Sequence, residues 1–128
     1  MKQKGVFNVY KMLKPDFHFE DDRGTLIQLV HCGYRQVNVI RSIAGVIRGG
    51  HYHKKNHEAF YVVEGDCEVT FIEGERKQTR VFSAGEFFQI EPHIGHVFHY
   101  LSNTVMIGLY DLGVEEENGE KDIFPING

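Results

Sequence analysis

Residues 45–65 read GVIRGGHYHKKNHEAFYVVEG, and the spacing of histidines in this stretch decides how the rest of the chain is read. His51 and His53 are separated by a single residue. In a β-strand, positions i and i+2 project from the same face, so the two imidazoles point together. A polar turn, Lys54-Lys55-Asn56-His57, follows, and Glu58 then opens the apolar run EAFYVV. An antiparallel return would bring the Glu58 carboxylate onto the face that carries the two rings. Further along, His96 opens another strand-like run after Glu91-Pro92-His93-Ile94-Gly95. Two histidines from one strand, a carboxylate from the next and a histidine from a distant one make four N/O donors. That set suits a divalent first-row metal such as Zn, Mn, Fe, Ni or Cu. The alternative for any one of these histidines is an ordinary polar or half-buried strand side chain. His57 is an alternative ligand to Glu58, His93 and His99 are candidates for a pocket rim, and His18 and His31 read as structural or exposed.

Outward from this stretch the chain repeats one pattern. Short runs rich in Val, Ile, Phe, Tyr and Thr lie at 25–30, 36–43, 58–63, 67–72, 78–82, 87–91, 96–101 and 104–111. Each is bounded by turn residues such as Asp21-Asp22-Arg23-Gly24, Gly49-Gly50 or Ala84-Gly85-Glu86, which is the signature of strands. Cys67, Val69 and Phe71 alternate with Glu68, Thr70 and Ile72, a period of two. No stretch carries helical periodicity with caps, so the expected class is all-β, a sandwich or barrel. The tail, 114–128, is acidic and then apolar, and reads as a short helix or as a loop packed on the barrel or on a neighbouring subunit.

The chain has 128 residues, one domain's worth, with 41% apolar and 25% charged residues. A net charge of −4 offers no basic field for nucleic acid. No apolar run approaches the roughly 20 residues of a membrane span. Met1-Lys2-Gln3-Lys4-Gly5 has no apolar segment behind it, so no secretory leader is expected and the location is expected to be cytoplasmic. Cys32 and Cys67 are too few for a disulfide scaffold and read as buried reduced thiols.

The spacing Gly45, His51, His53, Glu58, Gly65 resembles the first motif of the cupin superfamily, G-x5-HxH-x4-E-x6-G, at every fixed position. The second motif, G-x5-P-x-G-x2-H-x3-N, is matched at Gly85 and His96, whereas its proline, glycine and asparagine positions hold Glu91, His93 and Tyr100. The resemblance implies a single-domain cupin, a double-stranded β-helix or jelly-roll barrel. Its core would cover about residues 20–112, with the N-terminal strand and C-terminal tail peripheral. It implies a divalent metal held by His51, His53, Glu58 and His96.

Two shorter signals, Asp22-Arg23-Gly24-Thr25-Leu26 and Arg48-Gly49-Gly50-His51-Tyr52-His53, look like the cupins of nucleotide-sugar tailoring. These are dTDP-4-keto-6-deoxyhexose 3,5-epimerases, 3,4-ketoisomerases and the cupin domain of capsular enzymes that epimerise a UDP-4-keto sugar. The implied reaction starts by removing a proton beside a ketone. That step needs a base with a pKa near 7, an acid on the opposite side and positive charge near the developing enolate. By similarity His51 is the base, Arg48 holds the diphosphate or polarises the ketone, and Tyr61 and Tyr110 are candidate acids. Arg41 and His93 are further candidates for substrate contact. A metal-bound His51 cannot serve as base, and in that case the metal itself polarises the ketone. The rival readings are a metal-dependent cupin of another class, such as a dioxygenase or sugar-phosphate isomerase, and a non-catalytic sugar-binding cupin. Relatives of this kind imply a homodimer, for which the apolar run Gly5–Tyr10 is a candidate contact strand.

Overall fold

The β-branched and aromatic runs form strands throughout the computed structural model, which describes residues 9–126. In chain order these are β1 (Tyr10–Met12), β2 (Phe17–Asp21), β3 (Gly24–Gln28), β4 (Gln36–Ser42), β5 (Ile47–Tyr52), β6 (Glu58–Glu64), β7 (Asp66–Glu73), β8 (Arg76–Ser83), β9 (Phe87–Ile90), β10 (Gly95–Tyr100), β11 (Thr104–Tyr110) and β12 (Phe124–Pro125). One five-stranded sheet has the order β1-β9-β6-β11-β4, and the other β12-β5-β10-β7-β8. The β2–β3 hairpin forms a separate two-stranded sheet. Among the described residues there is no helix, and so none long and apolar enough to cross a membrane.

The sheets pack face to face as a jelly roll, and strict alternation fills the space between them. Phe60, Val62, Phe88, Ile90 and Met106 come from the first sheet; Cys67, Val69, Phe71, Phe82, Phe98 and Tyr100 come from the second. Phe82 and Phe88 stack across the interface with ring centroids 3.7 Å apart, and Phe60 meets Phe98 edge-on at 4.9 Å. The opposite face of the first sheet carries a second, smaller core of Ala59, Phe87 and Leu109, covered by Leu13, Leu29, Val30 and Tyr34. The first sheet is therefore apolar on both faces, and parity along a strand decides which core a side chain joins.

All eight expected strand regions are present. The expected run Gly5–Tyr10 reaches the described residues only at its end, where Tyr10 opens β1 and pairs with β9; residues 5–8 lie outside them. The tail is a loop packed on the sheets, and β12 pairs with β5, so it is not peripheral as expected. Cys67 is fully buried, its thiol pushed up to about 12 by burial. Cys32, expected to be buried, is exposed in the loop before β4.

Candidate metal centre and active-site cavity

Two pairs of neighbouring strands, one from each sheet, converge at one end of the jelly roll. In the second sheet, His51 of β5 sits directly opposite His96 of β10. In the first sheet, Glu58 of β6 sits opposite Tyr110 of β11. The β5–β10 register shifts between His96 and Val97, and Gly49 lies at this bulge with φ +97°. A Cβ there would come within 2.7 Å of the His96 carbonyl oxygen, so only glycine lets β5 lie close enough to deliver the histidines. His53 follows the end of β5, and its carbonyl accepts the His93 N–H at 2.6 Å. His93 occupies the motif's glycine position and has φ +70°, the conformation glycine would take without strain.

The rings of His51, His53 and His96 bring their donor nitrogens within 4.8 Å of one another. Main-chain carbonyls fix two tautomers. His53 donates from Nδ1 to the Asp122 carbonyl at 2.5 Å, and His96 donates from Nδ1 to the Ile94 carbonyl at 3.1 Å. Both Nε2 lone pairs therefore turn toward Glu58, whose Oε1 lies 2.6 Å from His53 Nε2 and 3.1 Å from His96 Nε2. These two nitrogens and both Glu58 oxygens are buried and make no aligned hydrogen bond. Lone pairs facing a carboxylate this closely repel unless a proton or a metal ion lies between them. The donor set of three imidazoles and one carboxylate fits a divalent first-row ion, and the carbonyl-fixed tautomers are the usual outer support of such a site.

The charges follow from the same contacts. Burial opposes ionisation of Glu58, but His53 and His96 outweigh it and hold the carboxyl well below its usual range. Burial likewise drives His53 down, yet the Glu58 carboxylate wins and its net shift is upward. His51 falls to about 4 through burial and the neighbouring His96, and so is neutral at pH 7. Burial and the Glu58 charge push the Tyr110 phenol up, so it keeps its proton.

A cavity of about 110 Å³ opens onto this cluster, lined by Arg48, His51, Glu58, His96, Tyr100 and Tyr110 among others. The Tyr110 ring meets His53 edge-on at 5.4 Å. Arg48 is held by the Ser42 hydroxyl at 2.9 Å and the Arg41 carbonyl at 3.2 Å. The expected residues His51, His53, Glu58, His96, Arg48 and Tyr110 thus come together. Three others do not. Tyr61 is an odd number of positions from Glu58, faces the second core and packs on Phe87. Arg41 is next to Ile40, which lines the cavity, and so projects from the other face of β4. His93 is exposed, and lies beside Tyr52, Pro125 and Ile126. His57, the alternative ligand, turns away to Asp111 at 3.0 Å and Glu91 at 3.2 Å. His99 lies beside Glu68 rather than at the cavity rim, and His18 and His31 pair with Glu20 and Asp16. Sequence reasoning missed Ser42, Tyr100, Asn56 and Asp122. Tyr100 was within reach, because it shares its parity on β10 with His96.

The family model of the polysaccharide biosynthesis C-terminal domain matches residues 19–111. No curated protein matches the chain. Among solved structures it is similar to QdtA, a sugar 3,4-ketoisomerase from Thermoanaerobacterium thermosaccharolyticum in complex with TDP. That match has 16% identity and a TM-score of 0.79, and covers 95% of this chain and 90% of that one. WlaRA, a TDP-fucose-3,4-ketoisomerase from Campylobacter jejuni, matches at 17% identity and TM-score 0.74, covering 94% and 90%. The capsular polysaccharide assembling protein CapF from Staphylococcus aureus matches at 23% identity and TM-score 0.66, covering 92% of this chain but 35% of that one. At these identities the likeness is one of fold.

Proposed function

The chain belongs to the polysaccharide biosynthesis C-terminal domain family, and from that premise we propose that it is a metal-binding isomerase, an epimerase or ketoisomerase of a 4-keto-6-deoxy nucleotide sugar. One observation carries the reading: buried imidazole lone pairs and a buried carboxylate converge without hydrogen-bond partners beside a cavity that also presents Arg48 and Tyr110. The fold shared with sugar 3,4-ketoisomerases supports it, as does the crystallisation of one of them with TDP-4-keto-6-deoxyglucose. Synthesis of a surface polysaccharide from such precursors would place the enzyme in the cytoplasm.

His51, His53, Glu58 and His96 would hold the ion, which when bound supplies Lewis-acid polarisation of the substrate ketone. The cavity is smaller than the roughly 300–1,000 Å³ of a pocket that takes a whole small molecule. It therefore has room for the reacting end of the sugar, and the nucleotide would lie outside, on the side where the exposed Arg48 guanidinium lines the mouth. Tyr110, protonated and facing the cavity, is placed to donate a hydrogen bond to the substrate oxygen and so to orient it. His51 is only half-buried and its ring is not among the orphaned atoms. That favours a second reading in which His51 stays free and takes the α-proton.

Metal content of protein purified without a polyhistidine tag, read beside solvent deuterium exchange into TDP-4-keto-6-deoxyglucose, tests the proposal. Near one equivalent of metal and exchange at the carbon beside the ketone are expected. Loss of metal in His51→Ala assigns His51 as a ligand, whereas retained metal with lost exchange assigns it as the base. No metal in the wild-type chain removes the ligand assignment, and no exchange removes the reaction class.

Assembly as a homodimer completes the proposal. The β2–β3 hairpin leaves Phe17, Phe19 and Leu26 exposed, and edge strand β4 exposes Val37 and Val39. A lone two-stranded hairpin is marginal in water, and open edges invite pairing. Sedimentation equilibrium should return twice the chain mass; a monomer at micromolar concentration would sink the dimer.

A further inference from the structure

The tail enters the site at Asp122, a side chain only 3% exposed. Its carboxylate accepts the backbone N–H groups of Lys54 at 2.8 Å, Lys55 at 3.0 Å and Asn56 at 3.0 Å, and the Asn56 side-chain amide at 2.8 Å. These amides belong to the turn directly after His53. The carbonyl of the same Asp122 accepts the His53 Nδ1 proton. Asn56 Oδ1 in turn accepts the N–H groups of Leu112 and Gly113, which ties the start of the tail to the same turn. Beyond Asp122, the Phe124 ring lies 5.5 Å from that of Tyr52. The Ile126 N–H donates to the Gly50 carbonyl at 2.9 Å. The Ile126 side chain fills the space beside Gly95, where a Cβ would meet it at 2.8 Å. One short segment thus touches the strand that carries His51, the turn that begins at His53 and the residue preceding His96.

We propose that residues 122–126 are a strap that completes the metal centre, with Asp122 as the positioning residue that aims His53 at the ion. The carboxylate fixes where the Asp122 main chain lies, and that main chain fixes which His53 nitrogen keeps its lone pair. Outer partners of this kind typically change metal affinity by about 10–100-fold. Coupling between two binding events is reciprocal, so strap docking strengthens metal binding and bound metal holds the strap down. The inference rests on the metal-binding reading above.

The full-length chain is titrated with Zn²⁺ alone as wild type, Asp122→Ala and Asp122→Asn. Hydrogen exchange is followed in the wild type with and without Zn²⁺. Affinity should fall about 10–100-fold in Asp122→Ala and less in Asp122→Asn. Zn²⁺ should slow exchange at the Asp122 and Ile126 amides of the strap while leaving those of the β2–β3 hairpin unchanged, a response that a purely structural role would not produce. Unchanged affinity in folded Asp122→Ala overturns the proposal. If that variant does not fold, the wild-type exchange decides, and a strap indifferent to Zn²⁺ overturns it equally. A wild-type chain that takes up no Zn²⁺ instead refutes the metal reading, and the strap's role falls with it.

Discussion

Replacing Glu58 with glutamine is expected to abolish metal uptake while leaving the chain folded. Glu58 is 1% exposed and, among the described residues, its carboxylate is the only anion facing the His53 and His96 lone pairs. Glutamine keeps the shape, and its NH₂ can donate to one of those lone pairs, so the substitution leaves fewer buried groups unpaired than alanine would. What it removes is the negative charge and one ligand. Loss of a ligand should exceed loss of an outer partner, so affinity should drop by more than about 100-fold. Turnover of a keto sugar should fall by at least the several kcal/mol that a Lewis acid contributes, with each 1.36 kcal/mol a factor of about ten. The wild type should show a characteristic pH dependence. Since Glu58 raises the pKa of His53, a proton competes with metal to above the ordinary histidine value of about 6.5, and uptake should strengthen as pH rises through that range. Metal analysis and a Zn²⁺ titration across pH check both points. A Glu58→Gln chain that binds metal as the wild type does would rule out Glu58 as a ligand.

Gly65→Ala should be the most destabilising single-methyl change among the turn glycines of the described residues, and it lies at the end of the jelly roll opposite the site. Gly65 links β6 to β7 with φ +92°, and a Cβ there would lie 2.5 Å from the Asn103 carbonyl oxygen and 2.9 Å from the Thr104 Cα. Those are main-chain atoms that cannot swing aside. The left-handed conformation alone costs a non-glycine residue of order 1–3 kcal/mol, and the clash adds to it. A loss of about 3–5 kcal/mol is expected, a large part of the roughly 5–15 kcal/mol that holds a domain together. Urea unfolding should show a lower midpoint at unchanged slope. A shift below about 1 kcal/mol would mean that the Asn103–Thr104 turn yields freely.

The ladder of strands was legible because alternation and glycine turns are local signals. Strand β5 was the least legible of the long ones, because Gly49 and Gly50 interrupt its apolar run, although the site depends on them. The convergence of His51, His53, Glu58 and His96 was legible through their spacing. The residues that hold these side chains in place were not. Tyr61 and Arg41 could have been set aside by parity with Glu58 and Ile40, had the facing of each strand been known. Because the first sheet is apolar on both faces, hydrophobicity does not reveal that facing. Asp122 stands in an acidic tail where nothing local separates a buried carboxylate from a solvated one. Its partners are some 66 residues earlier in the chain, and only the fold brings them together.

That separation has a consequence for the birth of the protein. Domains acquire structure as the chain emerges from the ribosome, and contacts between distant residues form late. The strands β5, β6 and β10, which bring His51, Glu58 and His96 together, are all synthesised before Asp122 leaves the exit tunnel. During that interval the turn after His53 has no carboxylate to hold it, and the His53 ring has no carbonyl to choose its tautomer. A nascent chain therefore carries its histidines for a time without the contacts that Asp122 supplies, and the arrival of this one residue decides when the cluster takes its final form.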